Sequence, residues 1–350
     1  MSNRTRLTLT QPDDWHLHLR SGAMLKTAAL TLRHFGRAII MPNLQPPVVR
    51  TADAVAYRTE IESHLPEHSN FEPLMTLYLT EQTDPDDVRI GHESGCGYVK
   101  LCPAGATTNW PPAYGIWKGL SSAGNDGTHR LLPLLVHGEV VDPDIDIFDR
   151  EAVFIERKLL PIRQAFPELN IVFEHLTTRD GVDYVQSCSH HTAATVTPHH
   201  LVINRNALLV GGIRAAHHRR AGLVTAARAC AAGLALVAAV TSGDPRFFLG
   251  TDSAPHLDGA KESACGCAGI FNAANAIAVT AQVFEQAGAI DKLEGFTSLH
   301  GAAFYGLPAN GRQITLLRSE EPIPPMDKLQ LADGTLTPFD PLLALHWRVE

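Results

Sequence analysis

The chain has 350 residues, of which 45% are hydrophobic and 19% charged, with 27 Gly and 23 Pro. A chain of this length and balance can bury a large core, so folding requires neither disulfides nor a partner. The net charge of −8 excludes the basic surplus of a nucleic-acid binder and leaves no polybasic patch for a membrane surface.

The N-terminus, Met1 to Arg6, is polar and lacks the apolar stretch of a signal peptide, so a reducing cytoplasm is expected. Short apolar runs then follow at intervals. They are Arg6–Thr10 with His16–Leu19, Arg37–Met41, Pro73–Leu79, Tyr98–Leu101, Leu132–Val136, Ile171–Phe173, Ala193–Val196 and Arg246–Leu249. Most are continuous Val, Ile, Leu and Phe rather than alternating, as a parallel sheet covered on both faces requires. Helical patterning fills many of the gaps, for example Thr51–Leu65 and Asp149–Ala165. Ala221 to Val240 is Ala-rich, but Arg228 interrupts it and it is too weakly apolar for a membrane span. The alternation predicts one closed α/β domain, a (β/α)₈ TIM barrel with short terminal extensions, spanning residues 1–350. No glycine-rich nucleotide-binding motif follows an early strand. The six cysteines are scattered, and Cys265-Gly266-Cys267 lacks the further ligands of a structural zinc site, so it reads as loop.

Polar residues stand where the apolar runs stop. They are His16 and His18, Lys100, His137 in Val136-His137-Gly138-Glu139, His175 in Phe173-Glu174-His175, and Asp252 in Gly250-Thr251-Asp252. In an α/β barrel the carboxyl ends of the strands form the active-site face. Residues two apart on a strand point the same way, so His16 and His18 aim two imidazoles at one point. An ammonium at the end of a buried strand, as at Lys100, is costly unless compensated. Either its stem carries the charge out to solvent, or it is a carboxylated lysine, whose carbamate oxygens can bridge two divalent cations.

Asp13-Asp14-Trp15-His16-Leu17-His18-Leu19-Arg20, Met41-Pro42-Asn43, Leu135-Val136-His137-Gly138-Glu139 and Leu249 to His256 closely resemble the bacterial-type dihydroorotases of the amidohydrolase superfamily. Lys261-Glu262-Ser263 and Cys265 to Gly269 extend the resemblance, which covers nearly the whole chain. It implies a zinc-dependent hydrolase of cyclic amides that interconverts N-carbamoyl-L-aspartate and L-dihydroorotate in pyrimidine biosynthesis. It also implies that His16, His18 and Asp252 hold one zinc ion and that His137 and His175 hold the other. N6-carboxylated Lys100 and a hydroxide would bridge the pair. Asp252 would take a proton from the attacking hydroxide and return it to the leaving nitrogen. Arg20, Asn43 and His256 would hold the substrate carboxylate, and the backbone of Ala268 would meet the ring. Thr107 and Thr108 would close over the bound substrate, and a homodimer is expected.

Two segments depart from the family pattern. After Gly211-Gly212-Ile213-Arg214 the family continues Pro-His and then Cys-Leu-Pro, whereas this chain reads Ala215-Ala216-His217-His218-Arg219-Arg220 into an altered stretch to about residue 235. Trp110–Arg130 is rich in Gly, Ser and Asn where the family has a helix. Two alternatives stand beside the main reading. A hydantoinase or allantoinase would share the metal pair, but Arg20, Asn43 and His256 favour a substrate bearing a carboxylate. A weakly active or non-catalytic dihydroorotase-like subunit would be expected to have lost ligands, and all six are present.

Overall fold

The computed structural model describes residues 6–80, 83–102, 132–204, 234–263 and 267–350. Thr107, Thr108 and the two atypical segments, apart from residues 234 and 235, lie outside the described residues. The strands are β1 (Arg6–Thr10), β2 (Asp13–Leu17), β3 (Arg37–Ile40), β4 (Glu72–Tyr78), β5 (Tyr98–Leu101), β6 (Leu134–His137), β7 (Ile171–Glu174), β8 (Thr192–Val196) and β9 (Phe247–Leu249). Four more follow: β10 (Gln313–Ile323), β11 (Leu329–Leu331), β12 (Gly334–Leu336) and β13 (Leu345–Val349).

Strands β2 to β9 form one eight-stranded parallel sheet in sequence order, with helices such as Thr51–His64, Pro85–Glu93, Arg179–Ser187 and Ala276–Gln286 between or after them. The ends of the sheet meet. Asp252 N donates to His16 O at 2.8 Å, His18 N donates to Ser253 O at 3.0 Å, and Leu17 bridges Ser253 in parallel. The expected barrel is therefore the observed one. One expectation is corrected. Arg6–Thr10 does not join His16–Leu19 in the barrel but pairs antiparallel with β10, which also pairs with β13 in a separate three-stranded sheet. The first barrel strand starts at Asp13 instead, after Pro12, which cannot donate to a ladder.

Side-chain parity explains where the core ends and the site begins. Trp15, Ile39, Leu74, Tyr98, Leu135, Val172, Ala193 and Phe248, one from each strand, pack together inside the barrel. Ala38, Ile40, Met75, Val99, Val136, Phe173, Val196 and Leu249 belong to the other cluster, against the helices. Tyr305 packs on Trp15 at 4.7 Å between ring centroids and on Phe248 at 5.9 Å, which fills the amino-terminal end. At that end Arg37 bonds Asp13 through two nitrogens, at 3.1 and 2.6 Å, a structural pair remote from the rim.

Candidate metal centre and substrate subsite

One step of the same parity toward the carboxyl ends turns the barrel interior polar. From Tyr98 the next inward residue is Lys100, from Leu135 it is His137, from Val172 it is Glu174, and from Ala193 it is Thr195. The first strand reaches the same layer by a different device. Asp14 pairs with Ala38 and Leu17 with Ile40, so β2 carries one extra residue between them. That irregularity lets both Trp15 and His16 face inward, and it re-aims His16 and His18 at the rim. Gly250 is required beside them, because a Cβ there would lie 2.7 Å from Thr195 Cβ and 2.9 Å from His16 Cβ.

All six expected ligands gather at this rim. His16 Nε2 and His18 Nε2 lie 3.3 Å apart, and Asp252 Oδ1 stands 3.3 Å from the first and 3.2 Å from the second. A tetrahedral zinc ion with bonds of about 2.0–2.1 Å spaces its ligand atoms about 3.3 Å apart, so the three atoms fit such an ion. His137 Nδ1 and His175 Nε2 lie 3.0 Å apart, and the rings of His16 and His175 have centroids 5.1 Å apart. Lys100 is buried, with its Nζ 3.5 Å from Glu174 Oε2.

Burial sets the charge states. It holds His16 down to about 3 and His175 well below the usual imidazole range, and it lowers His18 as well. These rings are therefore neutral and can offer lone pairs to a cation. Burial also brings Lys100 down to about 8, toward the neutral amine that carboxylation needs. For Asp252 burial alone would raise the carboxyl, but hydrogen bonds from His16 and His18 hold it well below its usual value, so it is ionised.

Three residues to which the sequence assigned no role hold the expected ligands in place. Glu139 Oε1 lies 2.8 Å from His137 Nε2, and Glu174 Oε2 contacts His16 Nδ1. Each carboxylate meets one nitrogen of a ring, which leaves the other ring nitrogen to face the cluster. Asp14 is fully buried and accepts from Thr251 N at 2.8 Å, Thr251 Oγ1 at 2.5 Å and His16 N at 3.2 Å. The signal for the two glutamates was present in the sequence as an acid beside or two residues beyond each rim histidine. For Asp14 it was an acid inside an otherwise buried strand.

Backbone strain is concentrated here. Arg20, His175 and Asp252 have φ of 48°, 42° and 47°, three of the four non-glycine residues in the left-handed region among the described residues. Such conformations cost about 1–2 kcal/mol each, and they turn the chain so that His175, directly after β7, and Asp252, beyond the end of β9, still face the rim. His175 N donates to Thr195 Oγ1 at 2.7 Å, and Glu151 accepts from the amides and hydroxyls of Thr177 and Thr178 just beyond.

The expected carboxylate subsite lies beside this cluster. Arg20 donates through Nε to Pro255 O at 3.0 Å, and its NH2 lies 2.7 Å from His256 Nε2. Tyr57 OH holds Arg20 O at 2.9 Å. Burial, then the Arg20 charge, keeps His256 down to about 3, so its ring is neutral, and it also bonds the Ala268 backbone. Asn43 stands three residues beyond β3, half-buried, with Oδ1 buried and free of hydrogen bonds. Among the described residues no helix is long and apolar enough to cross a membrane.

No family model matches the chain. Curated relatives do. A dihydroorotase of Rhizobium rhizogenes is 55% identical over 351 residues, covering 99% of this chain and 99% of its own length. A dihydroorotase of Chelativorans is 54% identical, covering 98% and 99%. The dihydroorotase of Saccharomyces cerevisiae in complex with 5-fluoroorotic acid superimposes with a TM-score of 0.84 at 28% identity, covering 99% of this chain and 98% of that one. That of Campylobacter jejuni gives 0.80 at 29% identity, covering 100% and 98%. An L-hydantoinase of Arthrobacter aurescens shares the fold at 0.69 with 13% identity, covering 98% and 82%. High identity along the full length, joined to a rim of histidines, lysine and aspartate on an eight-stranded barrel, places this chain in the dihydroorotase family of the metal-dependent amidohydrolases.

Proposed function

We propose that the chain interconverts L-dihydroorotate and N-carbamoyl-L-aspartate with two zinc ions at the barrel rim, held by His16, His18 and Asp252 on one side and His137 and His175 on the other. Lys100, once carboxylated on Nζ, would supply a further ligand to the ions. When bound, the ions supply an activated water and a Lewis acid for the amide carbonyl. The observation that carries this reading is the convergence of six ligand side chains directly beside the Arg20–His256 pair.

The chain's own groups do the rest. Arg20 offers a planar fork to the substrate carboxylate, with Asn43 Nδ2 and His256 as neighbouring polar contacts, and this orients the ring with its amide toward Asp252. Asp252 is ionised and its side chain is 27% exposed, so it faces both the ligand cluster and the mouth. It accepts the proton of the attacking water as the new C–O bond forms. It then passes that proton to the ring nitrogen as the C–N bond breaks. Ring closure runs the same transfers backward. Ala268 meets the ring through its backbone, and Thr107 and Thr108, which lie outside the described residues, complete the set of substrate contacts. The working unit is a single-domain barrel paired as a homodimer in the cytoplasm.

The test is turnover by zinc-loaded protein of dihydroorotate, hydantoin and allantoin side by side. Turnover of dihydroorotate alone is expected. Preference for hydantoin or allantoin would transfer the chain to the other cyclic amidases, and no turnover of any would make it a scaffold subunit. Intact mass with one added carboxyl group per chain and two zinc per chain checks the centre, and light scattering checks the dimer.

A further inference from the structure

The carboxyl-terminal extension has no part in the barrel, yet it reaches back to the substrate face at one buried carboxylate. Asp258 is 7% exposed and lies two residues after His256. Its Oδ2 accepts from Lys328 Nζ at 2.9 Å and from Thr335 Oγ1 at 2.7 Å. Thr337 Oγ1 donates across both oxygens, at 2.8 Å to Oδ1 and 3.0 Å to Oδ2. All three donors come from the β11–β12 hairpin and the residues flanking it. A second pair of bonds fastens the far side of the same loop. Phe339 N donates to Phe271 O at 2.7 Å, and Asn275 Nδ2 donates to Phe339 O at 2.8 Å.

The loop between these anchors is drawn together internally. Lys261 is buried and its Nζ bonds Gly269 O, while Cys267 N reaches Ala260 O at 3.3 Å. Ala254 N meets Ile270 O at 2.8 Å. His256 therefore sits on a segment pinned at Ser253 by the first barrel strand, at Ala254 by Ile270 and at Asp258 by the hairpin. Its ring is directed at Arg20 from that segment.

We propose that Asp258 is a positioning residue for substrate binding, through which the hairpin of the carboxyl-terminal extension sets the register of His256 and Ala268 against Arg20. This rests on the reading of Arg20, Asn43 and His256 as the carboxylate subsite. The subsite grips substrate and transition state alike, so loosening it raises KM and leaves kcat nearly unchanged. A misplacement of about 1 Å costs up to about 10²-fold.

The test compares Asp258→Ala, Thr337→Val, Thr337→Ser and Lys328→Met with the parent, all zinc-loaded. The readouts are KM, kcat, zinc content, and binding of 5-fluoroorotic acid by calorimetry. Asp258→Ala is expected to raise KM and the ligand Kd about tenfold or more, with zinc content and kcat within twofold. Thr337→Val should follow it in part, and Thr337→Ser, which keeps the hydroxyl, should behave as the parent. Arg318→Met, which breaks the Arg318–Glu285 pair in the terminal sheet, controls for simple loss of stability and should leave KM unchanged. If Asp258→Ala does not fold, Thr337→Val and Lys328→Met approach the same carboxylate from the hairpin. Unchanged KM and Kd in the variants, or a parallel loss of zinc, overturns the proposal. His256→Ala and Arg20→Met separate the two readings. If they too leave KM unchanged, the carboxylate subsite itself is misassigned. If they raise it while the Asp258 and Thr337 variants do not, only the tether fails.

Discussion

Replacing Asp14 with Ala in metal-free protein should destabilise the fold by an amount that depends on pH in a defined direction. The carboxylate accepts from Thr251 N, Thr251 Oγ1 and His16 N. Without it the Thr251 hydroxyl has only His16 O, at 3.5 Å, left to donate to, and two buried amides lose this acceptor. Each orphaned donor costs about 1–3 kcal/mol, or about 2–6 kcal/mol together. The parent carries an opposing cost, because burial pushes Asp14 up to about 7 from its usual 3.8. Between those values the folded chain holds a proton that the unfolded chain has released. Parent stability therefore falls as pH rises through that window, by about 1.4 kcal/mol per unit, and levels off above 7. The Ala variant lacks this slope. Its deficit relative to the parent should shrink by about 3 kcal/mol between pH 5 and pH 8, read as the difference in urea unfolding free energies. A deficit that is constant across this range, or larger at pH 8, refutes the assignment of Asp14 as a buried acid spanning β2 and β9.

Glu139→Leu and Glu174→Leu should each weaken zinc binding by about 10–100-fold, measured by chelator competition, because each frees one ring to rotate or change tautomer. Asp252→Asn should lower kcat by about 10²–10⁴-fold by removing the proton carrier. Metal analysis of the same preparation separates that loss from loss of a ligand. Arg20→Met should raise KM by about 10–150-fold, the equivalent of a charge-assisted hydrogen bond of about 1.5–3 kcal/mol. A smaller substrate lacking the carboxylate should show no such penalty.

The barrel was legible because most of its strands are apolar runs, as burial on two faces requires, and several carry a polar residue at or near the carboxyl end. The rim residues were legible for the same reason, since a strand end is fixed by local sequence. What escaped was set by tertiary pairing. Nothing in Arg6–Thr10 distinguishes a barrel strand from one that pairs with β10, more than 300 positions away. The extra residue in β2 is defined only by its register with β3, so the inward turn of both Trp15 and His16 could not be read from alternation. The roles of Asp14, Glu139 and Glu174 depend on which ring nitrogen each one meets. The bond network around Asp258 joins a mid-chain loop to a terminal hairpin by long-range contacts with no local signature.

The seam between β2 and β9 has a consequence for how the molecule is assembled. His16 and His18 come from the first barrel strand and Asp252 from the end of the last, whereas His137 and His175 lie on neighbouring strands in the middle of the chain. During synthesis the middle pair can meet as soon as β7 has formed. The other trio cannot exist until β9 docks against β2. A cation held by that trio would act as a rivet across the join, so the last of the two groups to assemble would also be the one that locks the circle shut.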